Sequence, residues 1–365
     1  MKRETKIDWP AVAARLAAKI PHAALHPAAM ETARAEFLRE QEGRGSARRR
    51  RAPRWALAFS GGADSLALLL LFWAEGPGRW GRDFVALHFN HRLRGAAATA
   101  DEKFCARVCA ALGVKFVAGR WADAPRRASE AEARAARHAF FQREMRRRKI
   151  RLLFLAHQQD DIAESMLMRL ARGSGAAGLA APRPAQRQPD GRWHLRPLLT
   201  LKKAEIVAAL RAADAPWRED ATNAGGDFFR NRLRRDVLPR WAAAAQRDAL
   251  AGAALARERL DEDDRALEVW LDELHPLRPD HSLDLAKLAG RPRALARRAL
   301  HRWLLAEPRA GALSRQGFDA LLAAIERGAP TRHSLGREGF AVVRGGRLRF
   351  EPAGKKRRRF LGRAN

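Results

Sequence analysis

The chain has 365 residues, with Lys+Arg 71 against Asp+Glu 41 and a formal net charge of +30, an excess beyond what solubility asks that points to a polyanionic partner. Its two cysteines, Cys105 and Cys109, exclude a disulfide scaffold and a cysteine-only zinc or iron–sulfur set, and they read as helix packing residues in a reducing compartment. No run of about eighteen apolar residues exists, and no apolar segment follows the charges of Met1-Lys2-Arg3-Glu4, so no membrane insertion or export is expected and the expected location is cytoplasmic.

In chain order, Val12, Leu16 and Ile20 mark one helix, and Met30, Ala33 and Phe37 a second ending near Leu38. Arg39 to Arg54 is polar, basic and glycine-containing, a solvated linker. From Trp55 short apolar strands alternate with helices, the βαβ pattern of a parallel sheet. The strands are Trp55 to Phe59, Phe84 to Phe89, Val114 to Val117 and Leu152 to Ala156, with helices over Ala97 to Ala110 and Ser129 to Arg148. Pro182 to Arg192 reads as a loop and Leu201 to Ala212 as a helix. Phe228 to Leu274 reads as mostly helical, broken at Pro239. Residues 280 to 335 read as helical, with Leu283, Leu295, Leu300, Trp303, Leu304, Phe318, Leu321 and Ile325 as core candidates. A hairpin is expected over Phe340 to Phe350 around Gly345-Gly346, before the basic run Lys355 to Arg359.

The polar clusters fall at strand ends, where open sheets of this kind bind ligands. Ser60-Gly61-Gly62-Ala63-Asp64-Ser65 follows the first strand and opens a helix. Glycines turn backbone N–H groups inward, the helix N-terminus adds partial positive charge, and together they form an anion nest. Ser60 and Ser65 offer hydroxyls to phosphate oxygens, and Asp64 can hold a divalent ion. The loop lacks the lysine of a Walker A motif and is not a G-x-G-x-x-G fingerprint.

His88-Phe89-Asn90-His91-Arg92-Leu93-Arg94-Gly95, after the second strand, can orient a triphosphate or stack on a base. His157-Gln158-Gln159-Asp160-Asp161-Ile162-Ala163-Glu164-Ser165, after the fourth, places Asp160 and Asp161 at a helix start. Asp160 and Glu164, four apart, are expected on one helix face. Such acids can hold Mg²⁺ with phosphates or receive the ammonium of a small cationic substrate. Arg169 to Gly175, including Arg172, adds basic flexible backbone for phosphate or RNA, and Arg230 and Arg234 form a basic edge for a polyphosphate backbone.

These motifs, in this order over residues 55 to 235, resemble the tRNA(Ile)-lysidine synthetases within the N-type ATP pyrophosphatases. Ser60 to Ser65 is similar to the family's SGGxDS loop and His88 to Gly95 to its H-x-N-H-x-L-R-G. Arg134 and Arg137 are similar to A-R-x-x-R, and His157 to Ser165 to H-H-x-D-D-x-x-E-T running into R-x-x-R-G-x-G. Arg196 to Leu199 and Asp220 with Asn223, Arg230, Asn231 and Arg234 complete the set. Departures are Gln158 for the second histidine, Ser165 for threonine and His138 for tyrosine.

The resemblance implies an adenine nucleotide alpha hydrolase-like α/β fold: an open parallel sheet with helices on both faces, then a helical linker and a small α+β domain. The expected division is residues 1–54, a helical and basic extension; 55–240, the ATP pyrophosphatase domain; 241–352, the linker and tRNA-binding domain; and 353–365, a basic tail. It implies ATP-dependent conversion of the wobble cytidine of a CAU anticodon to lysidine, with ATP, Mg²⁺, L-lysine and tRNA(Ile) as participants. Asp64 and Asp161 would hold metal, with Asp64, Asp160, Asp161 and His91 catalytic. Ser60, Gly61, Gly62, Asp64, Ser65, Arg94 and Arg137 would bind ATP and pyrophosphate, Asp160 and Glu164 lysine, and Arg172, Arg230 and Arg234 tRNA. The oligomeric state stays open, a homodimer among the options. The rivals are a tRNA thiolase, which Cys105 and Cys109 fit poorly if they lie midway along a helix and away from the loop, and a non-catalytic RNA-binding module.

Overall fold

The computed structural model describes residues 7–42, 55–75, 83–125, 128–219, 229–307 and 313–353. Asp220 and Asn223, most of the basic linker and the basic run at 355–359 lie outside them. The chain forms two compact units, residues 1–261 and 262–365.

The first unit is built on a six-stranded sheet in the order β3-β2-β1-β4-β6-β5. The strands are β1 (Trp55–Ala58), β2 (Phe84–Asn90), β3 (Lys115–Arg120), β4 (Leu152–Phe154), β5 (Ala185–Arg187) and β6 (Trp193–Leu195). All neighbours are parallel except the β5–β6 pair at one edge. The strands alternate their faces, as a pleated backbone requires. Trp55 and Leu57 enter the larger core layer, while Ala56, Val85, Leu87 and Leu153 enter the opposite one.

The helix α3 (Ala63–Ala74) is apolar all round and buried from Leu66 to Phe72. A helix of that composition needs cover on every side. The sheet supplies one side through Trp55, whose ring stacks on Phe84 at 4.1 Å and meets Phe72 at 5.1 Å. The other side is covered by α1 (Trp9–Lys19) and α8 (Lys203–Ala212). Helix α1 starts on Asp8, whose side chain accepts from the Ala11 N–H at 3.1 Å, and it buries Trp9, Val12 and Leu16. The residues ahead of β1 therefore build the first unit's core, along with α2 (Pro27–Glu42). Between the sheet strands run α4 (Ala96–Ala111) and α5 (Glu130–Arg148). Helix α5 starts on a Ser129–Glu132 capping box and covers the second face with Phe140, Phe141 and Met145. A Cβ on Gly119 of β3 would lie 2.3 Å from the Phe140 ring, so this close approach needs glycine.

The strand order reverses at β1 and β4, which sets the Ser60–Ser65 and His157–Ser165 stretches side by side at the carboxyl end of the sheet. Beyond β4 come α6 (Gln159–Leu170) and the short α7 (Ala176–Leu179). The Pro182 to Arg192 stretch, expected as a loop, carries β5, and the sequence reading missed β6 as well. Both are three residues long and poor in apolar pattern, and backbone pairing decides them, β6 on β4 and β5 on β6. After α8, the short α9 (Phe229–Arg232) runs through a π-helical turn at Leu233–Val237 into α10 (Leu238–Ala244). Pro239 breaks nothing: it occupies the first turn of α10, where no intrahelical N–H partner is needed. The interruption comes instead before α11 (Ala249–Leu274), the helix in which the unit boundary falls.

The second unit contains α12 (Arg293–Ala306) and α13 (Arg315–Arg327). Its antiparallel sheet has the order β7-β10-β9-β8, with β7 at Leu283–Asp284, β8 at Thr331–Ser334, β9 at Gly339–Arg344 and β10 at Arg347–Pro352. The 280 to 335 region is thus not wholly helical, since β7 and β8 close the sheet there. Leu283, Leu295, Leu300, Trp303, Leu321 and Ile325 are buried as expected, whereas Leu304 and Phe318 pack at the margin. Gly345 and Gly346 both take positive φ, the two-residue turn that matches strand twist. Among the described residues no helix is long and apolar enough to cross a membrane.

Candidate active site

The loop after β1 is held shut from within. The Ser65 hydroxyl donates to the Gly62 carbonyl at 3.0 Å and accepts from the Ser60 N–H at 3.2 Å, and it lies 3.0 Å from the Ser60 hydroxyl. Gly61 takes φ +87, and a Cβ there would sit 3.0 Å from the Cys105 sulfur and 3.3 Å from Phe104. Glycine is needed at this position twice over, for its backbone and for its closeness to α4. The Gly61 carbonyl accepts from the Arg218 N–H at 2.9 Å, and the Phe59 carbonyl contacts His88 Nδ1 at 2.9 Å.

This geometry corrects the expectation for the cysteines. Cys105 lies directly under the loop and not away from it. Burial raises both thiols, Cys109 to about 12, so neither is a ready thiolate.

On α6 the consecutive acids Asp160 and Asp161 turn to different partners. Gln158, in place of the family's second histidine, is the N-cap: its side-chain oxygen accepts from the Asp160 N–H at 2.5 Å, and Asp161 accepts from the Gln158 N–H at 2.9 Å. Asp160 accepts from the Lys203 N–H at 2.9 Å. Glu164, fully buried, accepts from Arg230 Nε at 2.6 Å and Arg234 Nε at 2.6 Å. Arg230 also donates to Asp161. The acids that act together are therefore Asp161 and Glu164, one helical turn apart, and not Asp160 and Glu164. Arg230 loses charge stability through burial, but Asp161 and Glu164 outweigh that and raise it. Its register toward α6 is set next to the π-helical turn, a distortion common at functional positions.

Asp64, on the first turn of α3, is bound through both oxygens by Lys203 Nζ at 2.8 Å each. Burial raises its carboxyl against the pull of Lys203, and the neighbouring Asp161 adds to the rise. Sequence reasoning missed Lys203, which carries no local signal beyond its place in the first turn of a helix. It also missed Asp101, which accepts from Arg94 Nη2 at 3.1 Å and Arg218 Nε at 2.8 Å and so fixes Arg94 beside the loop.

The rest of the cleft is cationic. Arg137 is lowered to about 10 by burial, and then by Arg134 and Arg230. Arg196 is likewise lowered to about 10 by burial, then by Arg134 and Arg169. Arg172, exposed after α6, adds to the field on Arg169. The histidines respond in kind. His91 falls to about 4 through burial, Arg137 and Arg94, and His157 falls well below its ordinary range through burial and Arg196. Both are neutral at pH 7, and Nδ1 of each is buried without a partner. Cations that repel one another around unpartnered polar atoms leave a site suited to an anion with several phosphate groups.

A glycine-hinged anion nest at a sheet switch point, facing paired carboxylates and an arginine wall, is the site of a nucleotide-binding PP-loop domain. The family model for the PP-loop domain matches residues 30–241, more than half of the chain, and the chain belongs to that family. Among curated proteins, the tRNA(Ile)-lysidine synthase of Solibacter usitatus is 41% identical over 190 residues, covering 52% of this chain and 41% of its own length. The tRNA(Ile)-lysidine synthase of Geobacter sulfurreducens is 35% identical over 277 residues, covering 73% of this chain and 57% of its own. The chain thus spans about half the length of the curated relatives it matches. A solved structure of the U34-tRNA thiolase NcsA from Methanococcus maripaludis with its 4Fe-4S cluster aligns at a TM-score of 0.47 and 16% identity, over 64% of this chain and 80% of its own.

Proposed function

We propose that the chain is a tRNA(Ile)-lysidine synthase, acting in the cytoplasm on a tRNA whose anticodon is CAU. The observation that carries this reading is the joining of the Ser60–Ser65 nest, through Asp64, to Asp161 and Glu164 in a cleft walled by Arg134 and Arg137. Curated relatives of that name match 52% and 73% of the chain. In the proposed reaction the cytidine O2 attacks the α-phosphorus of ATP, the bond to the bridging oxygen breaks, and pyrophosphate leaves. The ε-amine of L-lysine then attacks C2, and AMP departs with the O2 oxygen.

The chain's own residues supply position and charge for both steps. The N–H groups and hydroxyls of Ser60 to Ser65 receive the pyrophosphate oxygens. Arg94, fixed by Asp101, and Arg137 balance the charge of the phosphates. Neutral His91 hydrogen-bonds the nucleotide without adding to the crowd of cations. Asp161 is the acid shared between the lysine ammonium and the metal, and Glu164, one turn on, completes the acidic pair while it holds Arg230 and Arg234. Arg172, with the outer faces of Arg230 and Arg234, faces the RNA backbone, where affinity depends on salt.

Asp64 and Asp161 would hold Mg²⁺: both are hard oxygen donors, and Asp161 lies close enough to Asp64 to add to the rise that burial gives the Asp64 carboxyl. When bound, Mg²⁺ offsets the charge of the leaving pyrophosphate.

The reading is tested with α-³²P-labelled ATP and a CAU-anticodon tRNA. Without lysine, label should become attached to the RNA, and adding lysine should release it as AMP. RNA that stays unlabelled, or label insensitive to Asp64→Ala, would overturn the reading. The thiolase alternative has against it the burial and raised thiols of Cys105 and Cys109.

A further inference from the structure

Lys203 stands where the proposed chemistry needs something else. Its ammonium grips Asp64 through both carboxylate oxygens at 2.8 Å, and Asp64 is the acid to which the reading above gives the metal. The grip is built by the fold. Asp160 Oδ2 accepts from the Lys203 N–H at 2.9 Å, at the first turn of α8, and Gln159 N–H donates to the Leu201 carbonyl at 2.8 Å. The start of α8 is therefore pinned to the start of α6 at two points. Glu205 closes the same turn by accepting from the Lys202 N–H at 2.8 Å. The Lys203 side chain remains 40% exposed, so only its backbone is locked and the ammonium keeps room to move.

We propose that Lys203 is a resident counter-ion for Asp64, which occupies the carboxylate in the absence of nucleotide and is displaced onto the phosphates when ATP arrives with its metal. Asp160 is the positioning residue that makes this possible, since its carboxylate sets where Lys203 begins. Two acids adjacent in sequence thus have separate duties: Asp161 faces Arg230 and the reacting groups, while Asp160 aims a lysine across the loop. The arrangement also explains how the half-buried Asp64 and the buried Asp161 coexist before any metal binds. Each already has a cation, Lys203 on one and Arg230 on the other. The exchange makes metal binding depend on nucleotide, because metal alone must compete with a tethered ammonium, whereas nucleotide gives that ammonium a new partner.

The inference rests on the ATP-dependent reading but is tested without turnover, by electron paramagnetic resonance titration of Mn²⁺ into the full chain with no nucleotide present. Lys203→Met should bind Mn²⁺ at least about tenfold more tightly than the unaltered chain, because a positive charge adjacent to the ion is gone. Lys203→Arg, which keeps a cation, should stay close to the unaltered chain. Adding Asp64→Asn to Lys203→Met should abolish the gain and so locate it. Asp160→Ala and Asp160→Asn remove the same charge, but only asparagine keeps an oxygen for the Lys203 N–H. The alanine variant should therefore bind Mn²⁺ several-fold more tightly than the asparagine one. Equal Mn²⁺ affinity of Lys203→Met and the unaltered chain, or a gain that survives Asp64→Asn, overturns the counter-ion. Equal affinity of the two Asp160 variants removes Asp160 from the arrangement. Failure of the ATP reading would show separately, as unaltered chain that never labels RNA.

Discussion

Glu164→Gln tests whether the fully buried carboxylate on α6 organises the cleft. Glu164 accepts from Arg230 Nε at 2.6 Å, from Arg234 Nε at 2.6 Å and from Arg234 Nη2 at 3.1 Å. Glutamine preserves the shape but presents an NH₂ group to a guanidinium, so at least one contact becomes donor against donor. Breaking a buried ion pair by removing one partner costs about 3–5 kcal/mol. Two features pull the figure to the low end: the Arg234 side chain is 43% exposed and recovers water, and Arg230 keeps Asp161. A loss of about 3 kcal/mol remains, which for a unit of this size is a fall of roughly 6–12 °C in Tm. Differential scanning calorimetry measures it, and a cycle with Arg234→Met isolates the pair, since glutamine should cost much less once Arg234 is gone. A fall below about 2 °C, or an equal fall in both backgrounds, would refute the reasoning.

Arg137→Met should raise stability by about 1 kcal/mol while weakening ATP and RNA binding, because a mutually repelling cation leaves the cleft; melting and titration calorimetry check the two signs. Gly61→Ala should cost about 1–2 kcal/mol and raise the KM for ATP, and Cys105→Ala should relieve the contact but not the backbone strain. Cys105 and Cys109 should resist thiol reagents until the chain is unfolded, and the double alanine variant should retain RNA adenylation. For pH, His194 is lowered to about 3 by burial, then by Arg196, so between pH 6.5 and 3 the unfolded chain binds a proton that the folded chain refuses. Its contribution is fully present above pH 6.5 and is lost as pH falls. His194→Gln should flatten the stability curve near pH 5 by about 1.4 kcal/mol per pH unit, measured by urea unfolding.

The parallel sheet and its loops were legible because their signals are local: mostly apolar runs four to six residues long, a Gly-Gly turn and acids at a helix start. The strand order, which brings Ser60–Ser65 beside His157–Ser165, has no local signal and comes from the parallel pairing of β1 with β4. What stayed hidden depends on contacts across long stretches of chain. Lys203 meets Asp64 from 139 positions away, and nothing around Lys203 announces an ionic partner. Cys105 reaches the loop only because α4 packs under it, 46 residues after Phe59. Helical spacing suggested Asp160 with Glu164, but the position of Arg230 selects Asp161 instead. The strands β5 and β6 have no apolar alternation to reveal them, and only a neighbour's backbone makes them strands.

The most direct test of the account is lysine transfer itself. Purified chain is incubated with CAU-anticodon tRNA, ATP, Mg²⁺ and radiolabelled L-lysine, and the RNA is digested to nucleosides. The account predicts label in a single modified cytidine, dependent on ATP and absent with Asp64→Ala. Pyrophosphate release with no lysine in the RNA would contradict it and assign the cleft to a different nucleophile.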